Sequence, residues 1–129
     1  METALSSTGQ IIWRWLELLG LDAETFFADQ GVDPKNIAGV MTESYQGVGP
    51  DFLPVEYAQK LEAFCREHDI CLTMDEVQAG FGRTGKMFTY EHYGIKPDLV
   101  ACGKGISSSL PISAVIGRTD IMGLYAPGS

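Results

Sequence analysis

Residues 70–78, Ile-Cys-Leu-Thr-Met-Asp-Glu-Val-Gln, join a short apolar run to two consecutive carboxylates. Residues 70–74 have the length and composition of a buried β-strand, and Asp75 stands where that strand should end. Ligands of open α/β sheets collect at the carboxyl ends of parallel strands. The stretch therefore predicts one strand of such a sheet, with a polar site at its end.

Further short strands and helices alternate on both sides of this stretch. The predicted strands are residues 37–42, 70–74, 98–102 and 112–116. A helix is predicted at 54–68, with Val55, Ala58, Leu61, Phe64 and Cys65 on one face, and a last helix begins near Asp120 with Thr119 as its cap. Strands that alternate with helices and are apolar on both faces predict an open α/β sheet.

The first 32 residues follow a different pattern and are treated as a helical segment of uncertain origin. Residues 10–19 form an apolar-rich window typical of a helix. Asp22 is placed to cap a second helix that runs to about Gln30, and Gly31 is placed to end it. Residues 33–129 are predicted to form the sheet-containing domain.

Composition narrows the class of protein. The 129 residues carry a net charge of -8, which argues against nucleic acid or an anionic membrane surface as partner. No apolar run approaches the roughly 20 residues of a membrane span. The first ten residues contain no Lys or Arg, unlike a signal peptide. Three cysteines without a CxxC pair and two histidines predict reduced thiols, no metal site and a cytoplasmic location.

Three polar or glycine-rich segments directly follow predicted strands: residues 43–47, 75–78 and 103–105. A carboxylate at Asp75 would be partly buried and would need a cation or hydrogen-bond donors; it could equally cap the following turn. Lys104 lies between two glycines, which let the backbone approach a ligand closely. It is either a nucleophile in a desolvated pocket or a surface lysine in a loop.

The segment at residues 75–86, Asp-Glu-Val-Gln-Ala-Gly-Phe-Gly-Arg-Thr-Gly-Lys, resembles the class III aminotransferases. Gly103-Lys104-Gly105 and the Glu-Ser-Tyr-Gln-Gly sequence at 43–47 resemble further elements of that family. The resemblance covers about residues 33–129. It implies part of the large domain of a pyridoxal 5'-phosphate (PLP) enzyme of fold type I, with a mostly parallel sheet, flanking helices and one antiparallel strand.

The resemblance also implies a transaminase that moves an amino group between an amino acid or amine and a 2-oxo acid. Lys104 would form the Schiff base with PLP, and Asp75 would pair with the pyridine nitrogen. Val77 would pack on the ring and Gln78 would lie near the ring hydroxyl. The remaining predicted cofactor-binding residues, at the neighbouring strand end, are Glu43 and Gln46. The full-length parent would be a homodimer or higher oligomer.

The chain departs from the family pattern at single positions and in the elements it contains. Ser44 replaces the usual proline, which should change rigidity more than chemistry, and Val48 replaces a glutamate common in 4-aminobutyrate-type enzymes, which argues against 4-aminobutyrate or ornithine specificity. The phosphate-holding loop and the small C-terminal domain are not recognisable. The alternative prediction is therefore a catalytically inactive truncated fragment or an interaction module of the same fold.

Two structural expectations follow. Asp75 and Lys104 should lie at the same end of adjacent strands and face one shallow cleft. The edges of the sheet should expose apolar surface that drives oligomerisation. Gly80-Phe-Gly82-Arg-Thr-Gly85 matches the dinucleotide pattern GxGxxG, but it starts too far beyond the strand, so a loop is predicted there.

Overall fold

The structure is a computed structural model that describes residues 23–48, 51–107, 109–124 and 126. The helix predicted at 10–19 and the cap predicted at Asp22 lie outside these residues. The helices are α1 (Ala23–Asp29), α2 (Val55–Glu67) and α3 (Thr119–Met122). The strands are β1 (Gly39–Glu43), β2 (Cys71–Asp75), β3 (Leu99–Cys102) and β4 (Ala114–Gly117). Short 3₁₀ helices span Pro34–Asn36, Thr89–His92 and Lys104–Ile106.

The four described strands form one sheet in the order β1-β2-β3-β4. β1 pairs with β2 and β2 with β3 in parallel, whereas β3 and β4 are antiparallel. The predicted α/β fold, with a mostly parallel sheet and one antiparallel strand, is confirmed. Glu43 is in register with Asp75, and Asp75 with Ala101, so the carboxyl ends of the three parallel strands meet at one edge.

The core lies between this sheet and α2. Leu72 and Met74 of β2 are buried, and Cys71, Thr73 and Asp75 are half-buried, which is the period of two expected of a strand. Helix α2 buries Ala58, Leu61, Phe64 and Cys65, as predicted. Val55, the fifth residue predicted for that face, is 48% exposed because it lies in the first turn of the helix.

The two outer strands differ from the predictions. β1 begins at Gly39 rather than residue 37, because Ile37 caps the preceding 3₁₀ helix. It was predicted to be buried, but Met41 is 52% exposed. β1 lies at one edge of the described sheet. β4 lies two residues later than predicted at its start, and Val115 and Ile116 are about half exposed. The expectation of exposed apolar surface at the sheet edges is therefore confirmed.

The start of α3 and the end of α1 test two predicted helix boundaries. α3 begins at Thr119 itself, and Arg118 occupies the N-cap position without a capping side-chain hydrogen bond, so the prediction of Thr119 as the cap is wrong. α1 ends before Gly31, whose φ of +67° lies in the left-handed region. The Val32 N–H donates to the Phe27 carbonyl at 2.8 Å across this turn. Gly31 thus ends α1, as predicted.

We expect Gly31→Ala to lower the free energy of unfolding by about 1 kcal/mol, because only glycine adopts this φ without strain. A side chain would meet no atom within 4 Å, so the cost is one of backbone conformation alone. Chemical denaturation measures the change. Gly31→Asn should cost less, since asparagine tolerates the left-handed region. Equal stability of wild type and the alanine variant would contradict the assignment.

Cys65, Cys71 and Cys102 form no disulfide among the described residues; Cys65 and Cys102 are buried and Cys71 is half-buried. In the part of the chain described, no helix has both the length and the apolar character needed to cross a membrane.

Candidate active site

The site is built where β2 and β3 end side by side. Asp75 is the last residue of β2, and Lys104 lies in the 3₁₀ turn directly after β3. Because the strands are parallel and Asp75 is in register with Ala101, the two residues leave the sheet at the same edge. The expectation that they lie at the same end of adjacent strands is confirmed.

The turn that carries Lys104 packs against the loop that follows Asp75. A Cβ on Gly103 would lie 3.1 Å from Cγ1 of Val77, and a Cβ on Gly105 would lie 3.1 Å from Cβ of Phe81. Lys104 itself has a φ of +38°, unusual for a residue with a side chain. The glycines on both sides thus allow the lysine backbone to approach the neighbouring loop, and the strained φ is held by this packing.

The Lys104 side chain is exposed, and its Nζ donates to Oε1 of Gln78 at 2.5 Å. Of the two alternatives considered for Lys104, the described residues show the exposed lysine in a turn and not the amine in a desolvated pocket. A depression of about 600 Å³ adjoins Lys104 and is lined further by Ser107, Ser109, Leu110, Pro111, Ile112 and Ser113. Asp75 does not line it, so the shared cleft that we expected is not formed by these residues.

Asp75 is half-buried and caps the following turn, which is the structural alternative considered for it. Its Oδ1 accepts a hydrogen bond from the Val77 N–H at 2.9 Å and so closes the turn after β2. In the described part of the chain no hydrogen bond reaches its other oxygen, Oδ2. One carboxylate oxygen is therefore used for the turn, and the other is free for a ligand.

The end of β1 completes this edge of the sheet. Oε2 of Glu43 accepts a hydrogen bond from the Gly47 N–H at 2.7 Å, which closes the segment at residues 43–47. A Cβ on Gly47 would lie 3.6 Å from Cγ of Gln78, so this segment contacts the loop after β2. Gln46 lies in the same segment, where its N–H donates to the Asp51 carbonyl at 3.0 Å. Glu43 and Gln46 thus lie at the neighbouring strand end, as predicted.

Sequence reasoning assigned no role to Glu76, which is fully buried behind the site. Its carboxylate accepts hydrogen bonds from Oγ of Ser44 at 2.5 Å and from the N–H groups of Thr89 and Tyr90 at 3.0 and 2.9 Å. All three donors are uncharged. The signal was present in the sequence, because Glu76 continues the alternating buried series of Leu72 and Met74.

Ser44 links this carboxylate to the rest of the site. It is itself fully buried, and its carbonyl accepts a hydrogen bond from the Tyr93 hydroxyl. The same hydroxyl accepts from the Leu53 N–H at 3.2 Å. Ser44, Glu76 and Tyr93 therefore connect the end of β1, the end of β2 and the segment that leads to β3.

The GxGxxG segment is a loop, as predicted. The N–H groups of Phe81 and Gly82 both donate to the Met87 carbonyl, and the ordered element that follows is the 3₁₀ helix Thr89–His92. His92 Nε2 lies 3.1 Å from Oγ1 of Thr84, across the loop. No strand–turn–helix arrangement of the dinucleotide type occurs in this described segment.

Comparison with known proteins assigns the family. The family model for "Aminotransferase class-III" matches residues 22–129. The chain belongs to the class III aminotransferases. The resemblance predicted from residue 33 onward is therefore confirmed and extends upstream to residue 22.

The chain is also similar to individual curated proteins. Acetylornithine aminotransferase of Bacillus subtilis is 41% identical over 95 residues, which are 73% of this chain and 25% of that protein. Leucine/methionine racemase of Thermococcus litoralis is 44% identical over 92 residues, 70% of this chain and 21% of that protein. The chain spans about a quarter of the length of such curated relatives.

A solved aminotransferase structure shows the same fold. The ornithine delta-aminotransferase of Plasmodium falciparum superposes with a TM-score of 0.72 and 34% identity, over 84% of this chain and 28% of that one. The mixed sheet of the described residues is thus a piece of the aminotransferase fold.

Proposed function

We propose that this chain carries part of the cofactor-binding edge of a PLP-dependent enzyme that moves an amino group between an amino acid or amine and a 2-oxo acid. The observation that supports the proposal is the meeting of Asp75 and the Lys104 turn at the end of two adjacent parallel strands. Residues 33–129 would be a portion of the large domain, in a cytoplasmic protein that is a homodimer or higher oligomer in its full length.

The residues at this edge fit PLP. A pyridine ring needs an anion for its nitrogen, an apolar surface and an amine that reacts with its aldehyde. Asp75 offers the free oxygen Oδ2, half-buried Val77 offers the surface, and Lys104 offers the amine. When bound, PLP supplies a ring that withdraws electrons from the substrate carbon.

Each residue would then have a separate task. Asp75 would hold the proton on the ring nitrogen, and Lys104 would anchor the cofactor covalently and later carry a proton to and from the substrate carbon. Val77 would support the ring face, and Gln78 would lie at the ring hydroxyl. Glu43 and Gln46 would support this arrangement from the end of β1.

An inactive fragment or interaction module is the second candidate, and a specific observation favours it. The Lys104 amine is exposed, whereas a nucleophilic lysine is activated in a desolvated site. Racemisation is a further outcome to distinguish, because one relative is a racemase.

The deciding experiment mixes the purified chain with PLP, follows the visible absorption, reduces with borohydride and maps the adduct by mass spectrometry. We expect an adduct on Lys104 that is lost in Lys104→Ala and kept in Lys86→Ala, a matched control in the neighbouring loop. Transfer of the amino group to a 2-oxo acid is then measured together with the chirality of the amino acid.

Three outcomes separate the candidates. A Lys104 adduct with amino transfer supports the transaminase. An adduct with inversion at the α-carbon and no transfer supports racemisation instead. The absence of any band at millimolar PLP would contradict intrinsic activity and support the inactive fragment.

A further inference from the structure

The Lys104 turn and the loop after β2 interlock residue by residue. Gly103 packs on the Val77 side chain, and Gly105 packs on Phe81 and the carbonyl of Gly80. Between these two contacts, the Lys104 amine donates to the side-chain oxygen of Gln78. Gly103, Lys104 and Gly105 of the turn thus each contact a residue of the loop.

The contact between Lys104 and Gln78 differs from those of other lysines. Lys60 pairs with Glu56 one turn away on α2, and both side chains are about three-quarters exposed. Lys86 reaches only the Glu91 carbonyl, at 3.4 Å. The Lys104 contact instead joins two strand ends, and the acceptor is an uncharged amide.

Gln78 is itself held in place through its backbone and through its side chain. Its backbone carbonyl accepts a hydrogen bond from Nε of Arg83 at 2.7 Å, and its side-chain Cγ would lie 3.6 Å from a Cβ on Gly47. The side chain is half-buried. The acceptor therefore has less freedom than a surface glutamine, and less ordering entropy is lost when it binds the amine.

We propose that Gln78 is the positioning residue that holds the Lys104 amine at the strand ends until an aldehyde arrives, and releases it on attack. The identity of the aldehyde as PLP rests on the proposed function. In the reaction, the neutral amine forms a bond to the carbonyl carbon, and the carbonyl oxygen leaves as water with the two amine hydrogens. The nitrogen then has no hydrogen to donate, so Oε1 of Gln78 becomes free for another donor.

Competitive labelling in the absence of PLP tests this. The full chain is treated with formaldehyde and a borane reductant, and methylation of Lys104 relative to Lys60 is followed by mass spectrometry. In Gln78→Leu we expect the relative rate at Lys104 to rise about threefold, the factor typical of one exposed hydrogen bond. Gln30→Leu, the same change at an exposed turn residue, should leave the ratio unchanged.

A second variant keeps the test independent of how well the leucine variant folds. Gln78→Glu keeps an acceptor and adds negative charge, so the relative rate at Lys104 should fall below that of wild type. An unchanged ratio in Gln78→Leu, or no slowing in Gln78→Glu, overturns the proposal. Formaldehyde needs no cofactor site, so failure of PLP to bind leaves this result intact and contradicts only the proposed function.

Discussion

Replacing Glu76 with alanine is expected to lower the free energy of unfolding by about 3 kcal/mol. The substitution removes the acceptor shared by the Ser44 hydroxyl and the N–H groups of Thr89 and Tyr90. The Ser44 side chain and the Thr89 N–H are buried, so the donors would be left unsatisfied or would admit water into the core.

Conservative variants separate the contributions to this effect. Glu76→Gln keeps the shape of the side chain but presents an amide donor to at least one N–H group, so its loss should be intermediate. Ser44→Ala removes one of the three hydrogen bonds and should cost about 1 kcal/mol. Glu67→Ala is the matched control, because Glu67 is exposed at the end of α2.

Urea denaturation monitored by circular dichroism measures these differences in the free energy of unfolding. The loss of unfolding free energy should be largest in Glu76→Ala and smaller in Glu76→Gln. In Glu67→Ala it should be near zero. A Glu76→Ala variant as stable as wild type would show that the buried carboxylate does not hold the strand ends together.

The second large effect is expected at Asp98, at the opposite end of the sheet. Its side chain is 2% exposed. Oδ1 accepts from Arg66 at 2.7 Å and from Arg118 at 2.9 Å, and Oδ2 accepts from the Leu72 N–H at 2.9 Å. One carboxylate therefore joins α2, β2 and the start of α3, and Asp98→Ala should lower the free energy of unfolding by about 3 kcal/mol.

This contribution should depend on pH in a defined direction. Burial alone would raise the pKa of Asp98, but the hydrogen bonds from the Leu72 N–H, Arg118 and Arg66 outweigh it and lower the pKa below the ordinary 3.8. The stabilisation is then complete above the pKa of the unfolded chain, near 3.8, and is lost as the pH falls through the lower pKa of the folded state.

The measurement compares wild type with Asp98→Asn by denaturation at several pH values. The difference in unfolding free energy should be constant between about pH 5 and 7 and should shrink below about pH 4. Asp120→Asn is the control, because Asp120 also binds Arg118 but is exposed. A difference that grows as the pH falls would contradict the role of Asp98.

The burial of both Asp98 and Glu76 could have been inferred from the sequence. Asp98 and Glu76 each continue the alternating burial of the adjoining strand, before β3 and after β2 respectively. A period of two therefore indicates their side of the sheet. It does not indicate which donors lie there, because those come from segments distant in the chain.

The sequence by itself determined the order of strands and helices, the family, and the placement of Asp75 and Lys104 at strand ends. These follow from local periodicity and from motifs whose residues are close in the chain. Only the tertiary structure decided that β1 lies at an edge of the described sheet, that Glu76 is buried with uncharged donors, and that the Lys104 side chain is exposed and donates to Gln78. Burial depends on what packs across a face, and periodicity shows which residues share a face but not what covers it.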